Sequence, residues 1–138
     1  MREVRRLGFS YSDDNYVSIF VGICKSQELL YQYLQKDYEL LEYDYIGFEL
    51  GIDFGINTYD EDFAIVKWNE QGSDSIDTIF NDMIIFDIDQ LKANYPHGLN
   101  QFYNVAIVIG QLKYEGKVKE VHNDEFGYFK FLGTFKVD

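Results

Sequence analysis

Tyr16-Val17-Ser18-Ile19-Phe20-Val21-Gly22-Ile23-Cys24 is the stretch on which the fold turns. Val17, Ile19, Val21 and Ile23 alternate with Ser18, Phe20, Gly22 and Cys24. A period of two places one set on a buried face, so the stretch reads as a β-strand. Ser26 follows where a helix N-cap would stand, its hydroxyl able to accept an orphan backbone N–H. Leu29, Leu30, Tyr33 and Leu34 then recur at helical spacing, which predicts a short amphipathic helix over 27–36.

The other clear strands lie in the C-terminal third. Val105–Ile109 is apolar on both faces, the mark of an interior strand. Phe129, Phe131, Phe135 and Val137 alternate with Lys130, Leu132, Thr134 and Lys136, which predicts a last antiparallel strand with one aromatic face. Gly133 inside it marks a bulge or a close backbone approach. Glu115–Gly116 reads as a tight turn between them.

The middle is less periodic. Tyr38–Tyr45 mixes acids with Tyr and Leu in no clean period, and Phe48–Phe54 reads as a short helix ended by Gly55. Phe63–Trp68 reads as a strand and Gln71–Gly72–Ser73 as a turn. Short helices are expected after Asp74 and after Asp87, closed by Tyr95–Pro96–His97–Gly98. Residues 1–15 read as an N-terminal extension or arm, and 16–138 as one domain. The sum is an α+β single domain, a mostly antiparallel β-sheet with helices packed on one face.

Composition narrows the chemistry. The chain has 138 residues, 12 Tyr, 12 Phe and one Pro, a globular composition rather than a disordered one. Its single thiol, Cys24, suits a reducing compartment. No apolar run fit for a signal peptide follows Arg2, Arg5 and Arg6, and none fits a membrane span, so the expected location is cytoplasmic. The net charge is −12. Nine acids and no base lie between Asp37 and Val66, and six acids and no base between Trp68 and Leu91. Direct nucleic-acid binding needs clustered Lys and Arg and is not expected.

Few catalytic signatures are present. Two histidines and one cysteine give no metal-ligand spacing, and Asp60-Glu61-Asp62 fails as a calcium loop because the sixth position is Ile65, not Gly. No Gly-x-Ser-x-Gly elbow occurs. Gly47, Gly51 and Gly55 are interleaved with Glu49 and Asp53, which would repel a phosphate. Neither a catalytic residue, a cofactor nor a metal is expected. Cys24 reads as a small buried hydrophobe.

What stands out is acids interleaved with tyrosines: Tyr38, Glu39, Glu42, Tyr43, Asp44 and Tyr45, then Tyr59, Asp60, Glu61, Asp62 and Phe63. Tyr offers contact area and a hydroxyl at little entropic cost, and acids around it steer a cationic partner. Equally, these tyrosines pack half-buried with their hydroxyls in water, and the acids solvate the surface.

Three segments in order carry a resemblance. They are Val17–Gly22 followed by Lys25–Ser26, then Asp53–Ile56 with Tyr59–Phe63, and Lys130–Phe135. Together they resemble the immunity protein 22 family of bacterial polymorphic toxin systems, over about residues 16–136. The resemblance implies an α+β immunity protein that binds and neutralises a cognate toxin domain, a nuclease being one class, without catalytic residues or cofactor. Asp53, Asp60, Glu61, Asp62 and Phe63 match the family's acidic and aromatic positions, for toxin contact or for the fold. The candidate toxin-binding residues are Tyr43, Asp44, Tyr45, Asp53, Tyr59, Asp60, Glu61 and Asp62. The expected partner is a toxin protein with a basic surface. Alternatives are an acidic nucleic-acid mimic that inhibits another protein, and a small hydrolase using a carboxylate pair.

Overall fold

A computed structural model describes residues 4–83 and 87–137. In chain order it contains β1 (Ser12–Ile23), α1 (Gln27–Leu34), α2 (Tyr38–Glu42), α3 (Glu49–Phe54), a 3-10 turn (Glu61–Phe63), β2 (Ala64–Ser73), α4 (Ile76–Ile79), α5 (Ile88–Asn94), β3 (Tyr103–Leu112), β4 (Glu120–Asn123) and β5 (Gly127–Lys136). The five strands form one antiparallel sheet in the order β2-β3-β1-β5-β4. This is a single α+β domain. Among the described residues no helix is long and apolar enough to cross a membrane.

The sheet is buried on both faces, which corrects the expectation of helices on one. Val17, Ile19 and Val21 of β1 pack with Ala106 and Val108 of β3 beneath Ile76, Ile79 and Leu91 of α4 and α5. Phe20, on the opposite face, packs with Val105, Ile107 and Ile109 beneath Leu30 and Tyr33 of α1 and Leu50 and Phe54 of α3. Gly22, on the same face as Phe20, lacks a side chain for a steric reason. A Cβ on Gly22 would stand 2.6 Å from the Phe129 ring, which stacks on Tyr33 at 4.0 Å. Phe20 is fully buried, and such burial is worth roughly 1.5–3 kcal/mol.

A bulge in β5 explains a second departure. Ile19 pairs with Gly133 but Phe20 pairs with Phe131, so Leu132 is the extra residue. The bulge reverses the alternation. Phe129 and Phe131 face the α1–α3 layer, while Leu132 and Phe135 face the α4–α5 layer, so the expected single aromatic face is split in two.

Local signals set most ends. The Ser26 hydroxyl accepts from Leu29 N at 3.2 Å and starts α1. Gly55 closes α3 in the left-handed region at φ 81°. Asp37 accepts from Glu39 N and Leu40 N and starts α2, a helix where no periodicity announced one. Gln71–Gly72–Ser73 is no free turn. It is the irregular end of β2, where Ser73 rejoins Tyr103. Glu115–Gly116 lies in an irregular connection beside Tyr114, whose buried hydroxyl meets Phe54 O at 3.0 Å and Val118 O at 2.8 Å.

The N-terminal segment is stitched to the acidic middle. Arg6 bridges Tyr45, Leu7 N donates to Asp44 O at 3.0 Å, and Ile46 N donates to Arg5 O at 2.7 Å. Gly8 and Asn57 exchange two hydrogen bonds of 2.7 and 2.9 Å. β1 begins at Ser12, four residues before the periodicity starts.

Candidate protein-binding surface

The surface is built where the end of α1 meets the start of α2 and the segment 59–63. The chain leaves α1 after Leu34 and presents Lys36, then Asp37 caps α2 and sets Tyr38 at its first turn. The Lys36 ammonium reaches across to the far segment. It donates to Tyr59 O, lies 4.5 Å over the Tyr59 ring and stands 3.6 Å from Glu61. The Tyr38 hydroxyl donates to Glu61 Oε1 at 2.6 Å. Tyr59 is the inner piece: its ring meets Phe48 at 5.0 Å and its hydroxyl donates to Leu34 O at 2.9 Å.

The ionisation states follow from these contacts. The Tyr38 hydrogen bond, helped by the charge of Lys36, holds the Glu61 carboxyl below its usual range. The same bond to Glu61 raises the Tyr38 phenol. Burial, with the nearby Glu61 charge, pushes the Tyr59 phenol up to about 12. Glu61 is therefore anionic and both phenols neutral across the physiological range.

Three grooves meet at Lys36 and Tyr38. One of about 600 Å³ runs from Tyr11 and Asn57 past Asp60, Glu61 and Asp62 to Gln111. One of about 810 Å³ lies between α1 and β2, and one of about 530 Å³ lies under α2 towards Glu125. Asp60 caps the 3-10 turn by accepting from Asp62 N at 2.9 Å, and Glu61 and Asp62 occupy exposed positions, the Glu61 carboxylate held by Tyr38 and Lys36.

The predicted residues divide into three places. Tyr59, Asp60, Glu61 and Asp62 form the centre just described. Tyr43, Asp44 and Tyr45 lie at the other end of α2, a helix roughly 7 Å long at 1.5 Å per residue. Asp44 sits at φ 65° and holds Leu7, and Tyr45 lies under the Arg6 guanidinium at 5.4 Å, while Tyr43 is free of such ties and exposed. Asp53 belongs to neither group. Its Oδ2 accepts from the Tyr33 hydroxyl at 2.6 Å and from Asn123 Nδ2 at 3.0 Å, binding α3 to α1 and β4.

Two residues of the surface were not signalled by sequence. Lys36, which organises it, is only the last cation before the base-free stretch. Tyr31, on α1, is exposed like Tyr38, Tyr43 and Phe63: the four are 54%, 60%, 67% and 46% exposed. That exposure makes them available as anchors rather than core.

No family model, no curated protein and no solved structure matches the chain. The site must therefore be read from its own chemistry. Cys24 is buried, with its thiol directed at Ser26 O at 3.4 Å, while His97 and His122 are exposed, in the loop after α5 and on β4. Among the described residues no three His, Cys, Asp or Glu side chains gather in a metal-ligating group.

Proposed function

We propose that this protein is an immunity protein that binds a cognate bacterial toxin domain through the surface around α2 and residues 59–63, and neutralises it in the cytoplasm. The observation that carries the reading is the exposure of four aromatics, on α1, at both ends of α2 and at the 3-10 turn, together with exposed carboxylates of the same segments. Tyr31, Tyr38, Tyr43 and Phe63 present contact area, and Glu39, Glu42, Asp60, Glu61 and Asp62 lie exposed around them. Exposed aromatics cost solvation on their own and recover it when a partner covers them. The one cation among the described residues at the centre, Lys36, is turned inward to Tyr59 O and Glu61, so the outward field is negative. The net charge of −12 extends that field. Such a surface fits a basic partner, and a toxin that acts on nucleic acid has a basic cleft to offer. The resemblance of Val17–Gly22 with Lys25–Ser26, of Asp53–Ile56 with Tyr59–Phe63, and of Lys130–Phe135 to the immunity protein 22 family supports the same reading.

The test is co-expression with the toxin domain encoded beside it, scored by survival and co-purification. Rescue with a stable complex is the expected result. Death of the cells, with a toxin of verified activity and no complex, would refute the proposal. A kinetic test addresses steering. Neutralising three carboxylates with Asp60→Asn, Glu61→Gln and Asp62→Asn should slow association at low salt by roughly threefold to tenfold and flatten its salt dependence. An association rate unchanged at low salt would remove steering from the account.

A further inference from the structure

We infer that the outer edge of β2, with the groove between β2 and α1, takes an extended segment of the protein partner as a sixth strand. The segment is apolar on its groove side and carries Lys or Arg at its ends. The identity of the partner rests on the immunity reading; the site itself does not.

β2 offers an open backbone edge. β2 is the last strand of the sheet, and among the described residues it pairs with β3 alone, through Ala64–Trp68 and again at Ser73. Every second N–H and C=O on its other side therefore points away from the sheet. Natural edges are blunted by shortness, proline or an outward lysine. The opposite edge, β4, is four residues long. β2 runs regularly over the five residues Ala64–Trp68 before its register shifts towards Ser73, and it has no proline. Its one lysine, Lys67, is drawn aside by a 3.1 Å hydrogen bond to Asn81 O, on the α4 side of the sheet.

A groove lies beside that edge. It holds about 810 Å³ directly beside this edge, on the face of the sheet that carries α1. Ala64 and Val66 of β2 and Leu34 of α1 form its apolar part, and Tyr31, Tyr38 and Tyr59 flank it. A strand added about 4.8 Å from β2 would send alternate side chains into that space. Glu28 and Glu61 stand at the rim, and the groove's one cation among the described lining residues, Lys36, is already held by Tyr59 O and Glu61. Cationic ends on the incoming segment complement that rim. A second copy of the chain does not, because it would bring a charge of −12 against −12.

The probe is a synthetic peptide, Lys-Val-Thr-Val-Thr-Val-Lys, titrated up to about 1 mM, which detects binding worth about 4 kcal/mol or more. Trp68 is the sole Trp and lies on β2, so its fluorescence reports binding, and amide hydrogen exchange reports the location. The expected result is saturable binding with exchange slowed at least tenfold at outward amides of Ala64–Trp68. The same peptide N-methylated at alternate residues should bind at least tenfold more weakly, and a version with Glu in place of Lys should also bind more weakly. Absence of binding, equal binding of the N-methylated peptide, or protection confined to α2 would overturn the proposal. So would a dimer in sedimentation with the same β2 amides protected, which would make a second copy the occupant. Co-expression separates this from the immunity reading. If wild type and Val66→Lys rescue cells equally, the edge proposal falls and immunity stands. If the peptide binds as described and no toxin is neutralised, immunity falls and the edge site stands.

Discussion

Replacing Lys36 by Met tests whether one cation holds the surface together. Met keeps most of the apolar stem and removes the charge. The Lys36 side chain is only 12% exposed, so its contacts are partly shielded from water. The hydrogen bond to Tyr59 O is charge-assisted, worth about 1.5–3 kcal/mol. The ammonium over the Tyr59 ring at 4.5 Å adds about 0.5–1 kcal/mol. The pair with Glu61 at 3.6 Å adds little, because Glu61 is exposed and screened. Lys36→Met should then cost about 2–4 kcal/mol, or a fall in Tm of about 7–14 °C for a domain of this size. Urea unfolding followed by Trp68 fluorescence measures it, with m unchanged if the variant unfolds as one unit. NMR titration supplies an internal control. The Glu61 carboxyl is lowered first by Tyr38 and only then by Lys36, so it should stay low in Lys36→Met and return most of the way in Tyr38→Phe. A loss below about 0.5 kcal/mol, the size of an ordinary surface change, would refute the reasoning.

Further predictions concern the core and alkaline pH. Ser18 is fully buried, donates to Leu112 O at 2.8 Å and accepts from Tyr114 N at 3.0 Å, so Ser18→Ala orphans a buried N–H and should cost about 2–3 kcal/mol, measured by urea unfolding, with Ser18→Thr recovering part of it. Burial raises the phenols of both Tyr59 and Tyr114 to about 12. In the unfolded chain a Tyr ionises near pH 10, so their contribution to stability is present below about pH 10 and is lost as pH rises towards 12. Absorbance titration should show two fewer late-ionising phenols in Tyr59→Phe with Tyr114→Phe, while Tyr128, raised by burial and by its hydrogen bond to Glu120, still ionises late; a phenol titration uniform near pH 10 would contradict the burial argument.

The elements governed by neighbours in sequence were legible. Ser26 sits one residue before α1, and Gly55 one residue after α3, so each end was written locally. The two-sided core was not. Ser18, Phe20 and Gly22 look like the wet half of an alternating strand, and only Phe129, Thr134 and Tyr114, far along the chain, reveal that the face is buried. The bulge at Leu132 had a signal in Gly133, but its consequence, a reversal of faces, depends on pairing with β1. The surface divides in the same way. Asp60, Glu61 and Asp62 are contiguous and were visible as a cluster. Their junction with Lys36 and Tyr38, 25 and 23 residues away, is made by chain reversal through α3 and could not be seen in any window. Asp53 shows the converse: an acid inside the acidic run whose partners, Tyr33 and Asn123, hold the fold.

The central claim is that a protein partner is held on the face built from α2 and residues 59–63. Hydrogen exchange on the purified chain, with and without the proposed toxin partner, reads that face directly. The account predicts slowed exchange across residues 36–45 and 59–63, with the amides of α4 and α5 unchanged. Protection confined to the α4–α5 side, or none at all at saturating toxin, would contradict it.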